Sequence, residues 1–202
     1  MKKISKILAA NRSEIAIRIF RAAEESGIKT AAIYSKEDRF AIHRFKTDES
    51  YLVGEGKGPI QAYLDIDSII KIAKDAKVDA IHPGYGFLSE SPELAEQCEK
   101  NDITFIGPSK EILKRFGNKT EAKKVAKEAK VGTVPSVLVT KENLKSVEKE
   151  VEKIGYPVIV KASWGGGGRG MRVVRSSNEL IDQITTAQSE SLKAFGKDEV
   201  FI

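Results

Sequence analysis

The sequence has little of the residue types on which several common kinds of site depend, with one cysteine and two histidines among its 202 residues. Because Cys98 has no second cysteine to pair with, the chain can form no internal disulfide bond, which suits a reducing compartment such as the cytoplasm. The neighbours of Cys98 indicate a helix, so we expect a buried structural thiol. The Cys-x-x-Cys and His-Glu-x-x-His metal motifs are absent, as is the Gly-x-Ser-x-Gly context of a hydrolase nucleophile. The sequence therefore predicts neither a zinc site nor a serine hydrolase.

The chain also lacks any long hydrophobic run. Apolar stretches such as residues 7–10 and 31–34 are only four residues long, whereas a membrane-spanning helix needs about 20. The basic start of the sequence gives way to Asn11 and Arg12, which does not fit a secretory signal. The net charge of +5 is spread along the chain, and its densest part, residues 119–130, interleaves Lys with Glu as a solvated helix face does. We therefore expect no membrane segment and no nucleic-acid partner.

The first half of the sequence instead alternates regularly between strand-like and helix-like segments. This rhythm is typical of a parallel sheet with crossover helices, and we assign such a Rossmann-like α/β domain to residues 1–114. A helical connector is expected over residues 115–132. Residues 133–202 mix short strands with helices, which predicts a smaller α+β unit. The strands expected there are residues 135–139, 158–161, 171–174 and 199–202, and the expected helices are residues 142–154 and 178–195.

The most informative segment is a glycine-rich hairpin. A predicted strand that ends at Lys161 is followed by four consecutive glycines at residues 165–168, and a returning strand begins at Met171. Glycine permits positive φ and a close approach of backbone N–H groups, so such a loop can close over phosphate oxygens while the lysine adds positive charge. The lysine precedes the glycines instead of following them, so the segment is not a P-loop.

A dinucleotide site is not expected in the Rossmann-like domain. The turn after its first strand reads Ala-Asn-Arg-Ser-Glu over residues 10–14 and contains no glycine. The Gly-x-Gly-x-x-Gly fingerprint that lets a backbone approach a pyrophosphate is therefore missing.

Four further segments carry a family resemblance. They are Ala-Asn-Arg-Ser-Glu-Ile-Ala-Ile-Arg at residues 10–18, Ile-His-Pro-Gly-Tyr-Gly-Phe-Leu-Ser-Glu at 81–90, Phe-Ile-Gly-Pro at 105–108 and Gly-Asn-Lys at 117–119. With the hairpin, they resemble the N-terminal half of a biotin carboxylase domain of the ATP-grasp superfamily, and residues 43–54 are most similar to the pyruvate carboxylase version. Ser13 is a departure, since most of the family has glycine there. The implied fold is a Rossmann-like parallel sheet followed by the first, α+β part of an ATP-grasp domain, truncated at its C-terminus.

The resemblance implies which residues bind ATP. Lys161 would reach the phosphates from the strand before the loop, Lys119 would do so from a helix, and Met171 would pack near the adenine. The lid over the triphosphate would consist of Gly165, Gly166, Gly167 and Gly168. Charge-assisted bonds of the lysine type contribute about 1.5–3 kcal/mol each. Two alternatives stay open: Lys119 as one lysine of a solvated helix face, and Met171 as a core methionine.

The same resemblance places the residues after the fourth strand at the biotin and bicarbonate end of the site. Tyr85 and the backbone of Gly86 are the candidates for contact with biotin, and Glu90 would support that edge. His82 is either part of this site or a hydrogen-bonded residue at the strand end. The segment at residues 82–90 argues against a carbamoyl-phosphate synthetase, which is another ATP-grasp ligase.

The resemblance implies that the complete enzyme uses ATP and Mg²⁺ to activate bicarbonate as carboxyphosphate. It would then carboxylate biotin on a carrier domain outside this chain, within a homo-oligomer that converts pyruvate to oxaloacetate. The sequence stops at Ile202 in what reads as the middle of a strand. The resemblance places the magnesium ligands and the catalytic base beyond residue 202, so we expect the chain alone to be inactive. The alternatives are another biotin-dependent carboxylase, acting on acetyl-CoA or acyl-CoA, and a non-catalytic nucleotide-binding module.

Overall fold

The computed structural model describes residues 3–117, 119–140, 143–144, 146–163, 171–196 and 198–202, without the side chains of residues 119, 120, 194 and 195. The chain divides into two compact units, Met1–Lys114 and Arg115–Ile202. No helix among the described residues is long and apolar enough to cross a membrane.

The first unit is built on a five-stranded parallel sheet with the strand order β3-β2-β1-β4-β5. The predicted parallel α/β sheet is thereby confirmed. Its elements in chain order are β1 (Lys6–Ala9), α1 (Ser13–Glu25), β2 (Lys29–Tyr34), β3 (Glu49–Leu52), α2 (Ile66–Asp75), β4 (Ala80–His82), α3 (Pro92–Lys100), β5 (Thr104–Phe105) and α4 (Lys110–Gly117), which crosses the boundary between the units. Two short 3₁₀ turns, Ile42–Phe45 and Gln61–Leu64, were not expected from the sequence.

Helices cover both faces of this sheet because side chains alternate across each strand. In β1, Leu8 packs with residues of α2 and α3, whereas Ile7 and Ala9 pack with residues of α1. The helix α1 ends where Gly27 takes a φ of +69°, and the amide of Ile28 bonds back to the carbonyl of Ala23 at 2.8 Å. Glycine is the residue most often found at such a helix end, because it adopts a positive φ without strain.

The second unit is a four-stranded antiparallel sheet with the order β6-β9-β7-β8. Its elements are α5 (Lys119–Glu128), β6 (Leu138–Val139), α6 (Val147–Ile154), β7 (Val158–Ala162), β8 (Arg172–Val174), α7 (Ser177–Phe195) and β9 (Val200–Phe201). The strands β7 and β8 pair in antiparallel register, with Val158 opposite Val174, so the predicted hairpin is confirmed on both sides of residues 164–170.

One face of the second sheet is buried and the other is open. Val158, Val160 and Val200 pack into an apolar core with residues of α6 and α7. Ile159 and Val173, which point the other way, are about half exposed. Side chains on the open face are therefore accessible to solvent.

Two element boundaries in the second unit were predicted wrongly. The strand β6 has two residues instead of five, and α6 begins at Val147 instead of residue 142. Asn143 explains the late start, because its side chain accepts a hydrogen bond from the amide of Thr140 at 2.8 Å and donates one to the carbonyl of Leu138 at 2.7 Å. Such local bonds hold the backbone in a turn and delay the helix.

Candidate functional site

The two loops with the longest sequence motifs meet at one edge of the first sheet. The strands β1 and β4 are parallel neighbours, and the strand order reverses between them, since β2 and β3 follow on one side of β1 and β4 and β5 on the other. Open α/β sheets bind ligands at such a switch point. The amide of Ala10, directly after β1, donates to the carbonyl of His82, the last residue of β4, at 2.9 Å. The buried side chain of Asn11 then donates to the carbonyls of Pro83 at 2.7 Å and Tyr85 at 2.9 Å. One amide side chain thereby fixes the loop that follows β4.

The loop at residues 83–87 depends on its glycines in two different ways. Gly84 and Gly86 both have a φ of +68°, which strains any residue with a side chain. A Cβ atom at Gly84 would also lie 2.7 Å from Nδ2 of Asn11, whereas one at Gly86 would meet nothing within 4 Å. The first glycine is therefore needed for close packing as well as for its backbone angle.

His82 supports this loop as a hydrogen-bond acceptor. Its Nδ1 atom accepts a bond from the amide of Gly84 at 3.0 Å, and burial lowers the pKa of the ring. The imidazole is therefore neutral at pH 7, and its unprotonated Nδ1 atom holds the loop by accepting this bond. His82 thus forms a hydrogen bond at the strand end, and its part in a biotin and bicarbonate site stays a prediction.

Tyr85 stands at the exposed tip of the loop. Its side chain is 61% exposed, and its hydroxyl donates a hydrogen bond to the carboxylate of Glu14 at the start of α1. This bond raises the pKa of Tyr85 and lowers the pKa of Glu14. Residues 11–15 and 85–87 line a shallow cavity of about 370 Å³. Glu90 is exposed beyond the loop and forms no ion pair with another described residue.

A polar cluster of Arg12, Asp38 and Tyr63, which was not predicted from the sequence, supports the loop at residues 83–87 through Phe87. Asp38 receives the hydroxyl of the buried Tyr63 at 2.7 Å and pairs with the guanidinium of Arg12 at 3.0 Å. The ring of Phe87 stacks on Tyr63 with a centroid distance of 5.1 Å, and the guanidinium of Arg12 lies 5.6 Å and 5.9 Å from the two ring centroids. Arg12 and Phe87 lie within recognised motifs, but no sequence signal marks Asp38 or Tyr63.

Ser13, where the sequence departs from the family pattern that it resembles, has an unusual backbone conformation. It has a φ of +56°, in the left-handed region that favours glycine. Ser13 lies between two residues that both bind Tyr85. The side chain of Asn11 donates to the carbonyl of Tyr85, and the carboxylate of Glu14 accepts a bond from the Tyr85 hydroxyl. The turn keeps its shape with serine at the expense of backbone strain.

His43, to which no role was assigned, is a core residue of the first unit. It is fully buried, and its Nε2 atom lies 3.1 Å from the carbonyl of Ile33. Because a carbonyl only accepts hydrogen bonds, Nε2 carries the proton. Burial lowers the pKa of the ring, so a neutral, structural histidine is the result.

In the second unit, Lys161 projects from the open face of the sheet. Phe201 stands directly opposite Lys161 across β7 and β9, and Leu138 stands opposite Phe201 across β6 and β9. Directly opposed residues of an antiparallel pair share one face, so the three side chains form one row. Ile159 lies two residues before Lys161 on the same face and is exposed. Its apolar side chain beside a lysine is a site feature that the sequence analysis did not identify.

The remaining ATP candidates are described only in part. Met171 comes directly before β8 and is 50% exposed, so it is not a core methionine of this chain. Lys119 is the first residue of α5, and its side chain lies outside the described part. The predicted lid, Gly165, Gly166, Gly167 and Gly168, lies outside the described residues altogether. Among the described residues, no group of His, Cys, Asp and Glu side chains is arranged to hold a metal ion.

Comparison with known proteins finds a family match for each unit. Residues 3–113 match the family described as biotin carboxylase, N-terminal domain, and residues 118–202 match the ATP-binding domain of the carbamoyl-phosphate synthase L chain. The chain is 55% identical to pyruvate carboxylase of Bacillus subtilis (strain 168) and 50% identical to mitochondrial pyruvate carboxylase of Homo sapiens, and each match covers all of this chain. It spans 18% and 17% of the lengths of these relatives.

A solved structure agrees with the sequence matches. The biotin carboxylase domain of Hydrogenobacter thermophilus 2-oxoglutarate carboxylase, in complex with MgADP, ADP and bicarbonate, aligns with a TM-score of 0.90 and 41% identity. The alignment covers 100% of this chain and 44% of that one. The predicted fold class, a Rossmann-like unit followed by the first part of an ATP-grasp domain, is confirmed. The chain therefore belongs to the biotin carboxylase family and corresponds to the N-terminal part of pyruvate carboxylases.

Proposed function

We propose that this chain supplies the nucleotide-binding and biotin-facing residues of the biotin carboxylase module of a pyruvate carboxylase. The module would use ATP to activate bicarbonate as carboxyphosphate and would then carboxylate biotin on a carrier domain. The acceptor pyruvate, the carrier domain, a homo-oligomeric assembly and a cytoplasmic location are parts of the same proposal. The observation that carries it is the open face of the second sheet, where a lysine without a carboxylate partner among the described residues lies beside exposed apolar side chains.

Lys161 is the residue best suited to bind the phosphates of ATP. It is partly buried, and it has no carboxylate partner among the described residues. An ammonium group in such a position favours an anionic ligand, because the charge is neither hydrated fully nor neutralised. The exposed Ile159, Val173 and Met171 offer an apolar surface of the kind on which a purine ring packs.

The other ATP residues in the proposal are Lys119 and the glycine lid at residues 165–168. Phosphoryl transfer depends on positioning and on neutralising charge, which lysines and backbone N–H groups can both supply. When bound, Mg²⁺ would add further neutralisation of the phosphate charge. The described residues provide no set of ligands for it, so we derive no step through this ion.

In the first unit, the proposal assigns Tyr85 and the backbone of Gly86 to biotin. The loop that carries them is held from two sides, by the amide of Asn11 and by the stack of Phe87 on Tyr63. A rigidly held tip loses little conformational entropy when it binds a ligand. In the proposal, His82 contributes by holding the loop through the amide of Gly84, and Glu90 supports this edge of the site.

The test of the proposed function uses a full-length enzyme in which this chain replaces the matching 201 residues of the Bacillus subtilis relative. Substituting Lys161→Met removes the charge and keeps the aliphatic stem. We expect the KM for ATP in bicarbonate-dependent ATP cleavage to rise roughly 10- to 100-fold, which is the effect of about one charge-assisted bond. Lys153→Met, at an exposed lysine of α6, is the matched control. An unchanged KM for ATP in the Lys161 variant would disprove the assignment.

A second pair of variants tests the biotin end separately. Tyr85→Ala is expected to raise the KM for free biotin about 10-fold and to leave the KM for ATP unchanged, because only one substrate loses a contact. Tyr85→Phe removes the bond to Glu14 and keeps the ring, so it shows whether the hydroxyl contributes. Equal damage to both constants in the alanine variant would make Tyr85 a structural residue.

A further inference from the structure

Two lysines of the second unit meet at one aromatic ring. Lys161 and Phe201 are directly opposed across β7 and β9 and so share the open face of the sheet. The ammonium of Lys123, from α5, lies 4.9 Å from the centroid of the Phe201 ring. A helix and a strand that are far apart in sequence therefore bring two cations to the same place.

The described residues do not neutralise this pair. Neither lysine forms an ion pair or a hydrogen bond with another described residue, whereas Lys6, Lys57 and Lys110 each have a carboxylate within 2.8 Å. The ring of Phe201 attracts an ammonium through its π face but carries no net charge. Within the part of the chain that the structure describes, the two positive charges thus stay uncompensated on one partly buried surface.

The nearby charge of Lys161 affects the pKa of Lys123. Burial, first, and the positive charge of Lys161, second, lower the pKa of Lys123. Holding two like charges together in this way is unfavourable for the unliganded protein. The arrangement becomes favourable when an anion with several negative charges binds between the ammonium groups, since it then neutralises both.

We propose that Lys123 is a binding residue for the phosphate chain of ATP, acting together with Lys161 and held in place by the ring of Phe201. The proposal rests on the proposed function, because it takes ATP as the nucleotide at this face. A carboxylate partner would hold Lys123 equally well but would cancel its charge, whereas an aromatic ring positions the ammonium and leaves the charge free for the ligand.

The first test measures chemical reactivity and not turnover. The full-length enzyme described above is treated with a lysine-acetylating reagent, with and without ATP, and the modified residues are quantified by mass spectrometry. We expect ATP to protect Lys123 and Lys161 at least fivefold, and to leave the exposed Lys124 of the same helix unprotected. Tripolyphosphate should protect both lysines as well, and bicarbonate alone should not. Protection of Lys161 without protection of Lys123 would overturn the proposal.

The second test uses substitutions that separate charge from packing. Lys123→Met keeps an apolar stem against Phe201 and is expected to raise the KM for ATP about 10-fold, with the KM for bicarbonate and for biotin unchanged. Lys123→Arg, which restores the charge, should recover most of the loss, and Lys124→Met should have no effect. Because repulsion is relieved, the thermal midpoint of the nucleotide-free Lys123→Met enzyme should stay the same or rise.

The outcomes distinguish this inference from the proposed function. If Lys161→Met leaves ATP binding intact, the nucleotide does not bind at this face and both proposals fail. If Lys161→Met weakens ATP binding and Lys123→Met does not, only the role of Lys123 is refuted. A Lys123→Met enzyme with a lower thermal midpoint and equal damage to all three constants would show that Lys123 is merely structural.

Discussion

Removing the carboxylate of Asp38 should destabilise the first unit more than removing the hydroxyl that it binds. In Asp38→Ala the hydroxyl of Tyr63 loses its acceptor at 2.7 Å, although it still accepts a weak bond from the amide of Ser35 at 3.3 Å. Tyr63 is fully buried, so its O–H group has no ready access to water. Tyr63→Phe removes the donor itself and leaves Asp38 paired with Arg12.

The expected magnitudes follow from these contacts. An unsatisfied buried donor costs about 1–3 kcal/mol, whereas deleting the donor costs about 0.5–1.5 kcal/mol. The ion pair with Arg12 adds less than about 1 kcal/mol, because the two side chains are 37% and 18% exposed and solvent screens the pair. We therefore expect Asp38→Ala to lower the free energy of unfolding by about 2–3 kcal/mol, and Tyr63→Phe by about 1 kcal/mol.

The assay is urea unfolding of the 202-residue chain at pH 7, followed by fluorescence and circular dichroism for both single variants and the double variant. In the Tyr63→Phe background, Asp38→Ala should lose most of its effect, because the orphaned hydroxyl is gone. Glu37→Ala, at the exposed neighbour, is the matched control and should stay within about 0.5 kcal/mol of the wild type. The same loss for Asp38→Ala with and without the tyrosine hydroxyl would refute the reasoning.

The effect of Asp38 should also depend on pH. Burial raises the pKa of Asp38, but the bonds from Tyr63 and Arg12 together outweigh it, so the pKa is lowered overall. A carboxylate with a lowered pKa contributes stability that is present above its unfolded value of about 3.9 and is lost as the pH falls through the folded value. The stability gap between the wild type and Asp38→Ala should therefore shrink below about pH 4. A gap that stays constant into this range would contradict the assigned charge.

Three further predictions concern single positions of the first unit. Ser13→Gly should raise the free energy of unfolding by about 0.5–1 kcal/mol, because a φ of +56° strains serine more than glycine loses in chain entropy; an unchanged urea midpoint would exclude this strain. Gly84→Ala should destabilise the chain by at least about 1 kcal/mol more than Gly86→Ala, since only the former adds a clash to the same backbone strain, and equal urea midpoints would refute the distinction. The Cys98 thiol, whose pKa burial raises to about 12, should resist an aromatic disulfide reagent at pH 8 until urea unfolds the chain, and rapid labelling of the native chain would contradict its burial.

The sequence by itself determined the α/β order of the first unit, the hairpin of the second and the family. These features are local or repeated: a strand shows a period of two, a helix shows 3.6, and a motif such as residues 82–90 is contiguous. The end of α1 could be predicted because Gly27 acts within one turn of the chain. The start of α6 could not, because the side chain of Asn143 competes with the helix for the backbone.

Only the tertiary structure decided which distant side chains act together. The bond from Asn11 to Pro83 joins residues 72 positions apart, and Asp38 meets Tyr63 across 25 positions. In neither pair does the local sequence around one residue indicate which distant residue it contacts. Lys123 likewise looks like one more lysine of a charged helix until the antiparallel pairing of β7 and β9 places Phe201 beside Lys161. Charge and hydrogen bonding depend on distances in space, and in a parallel or antiparallel sheet those distances are set by strand order and register, which a single sequence does not contain.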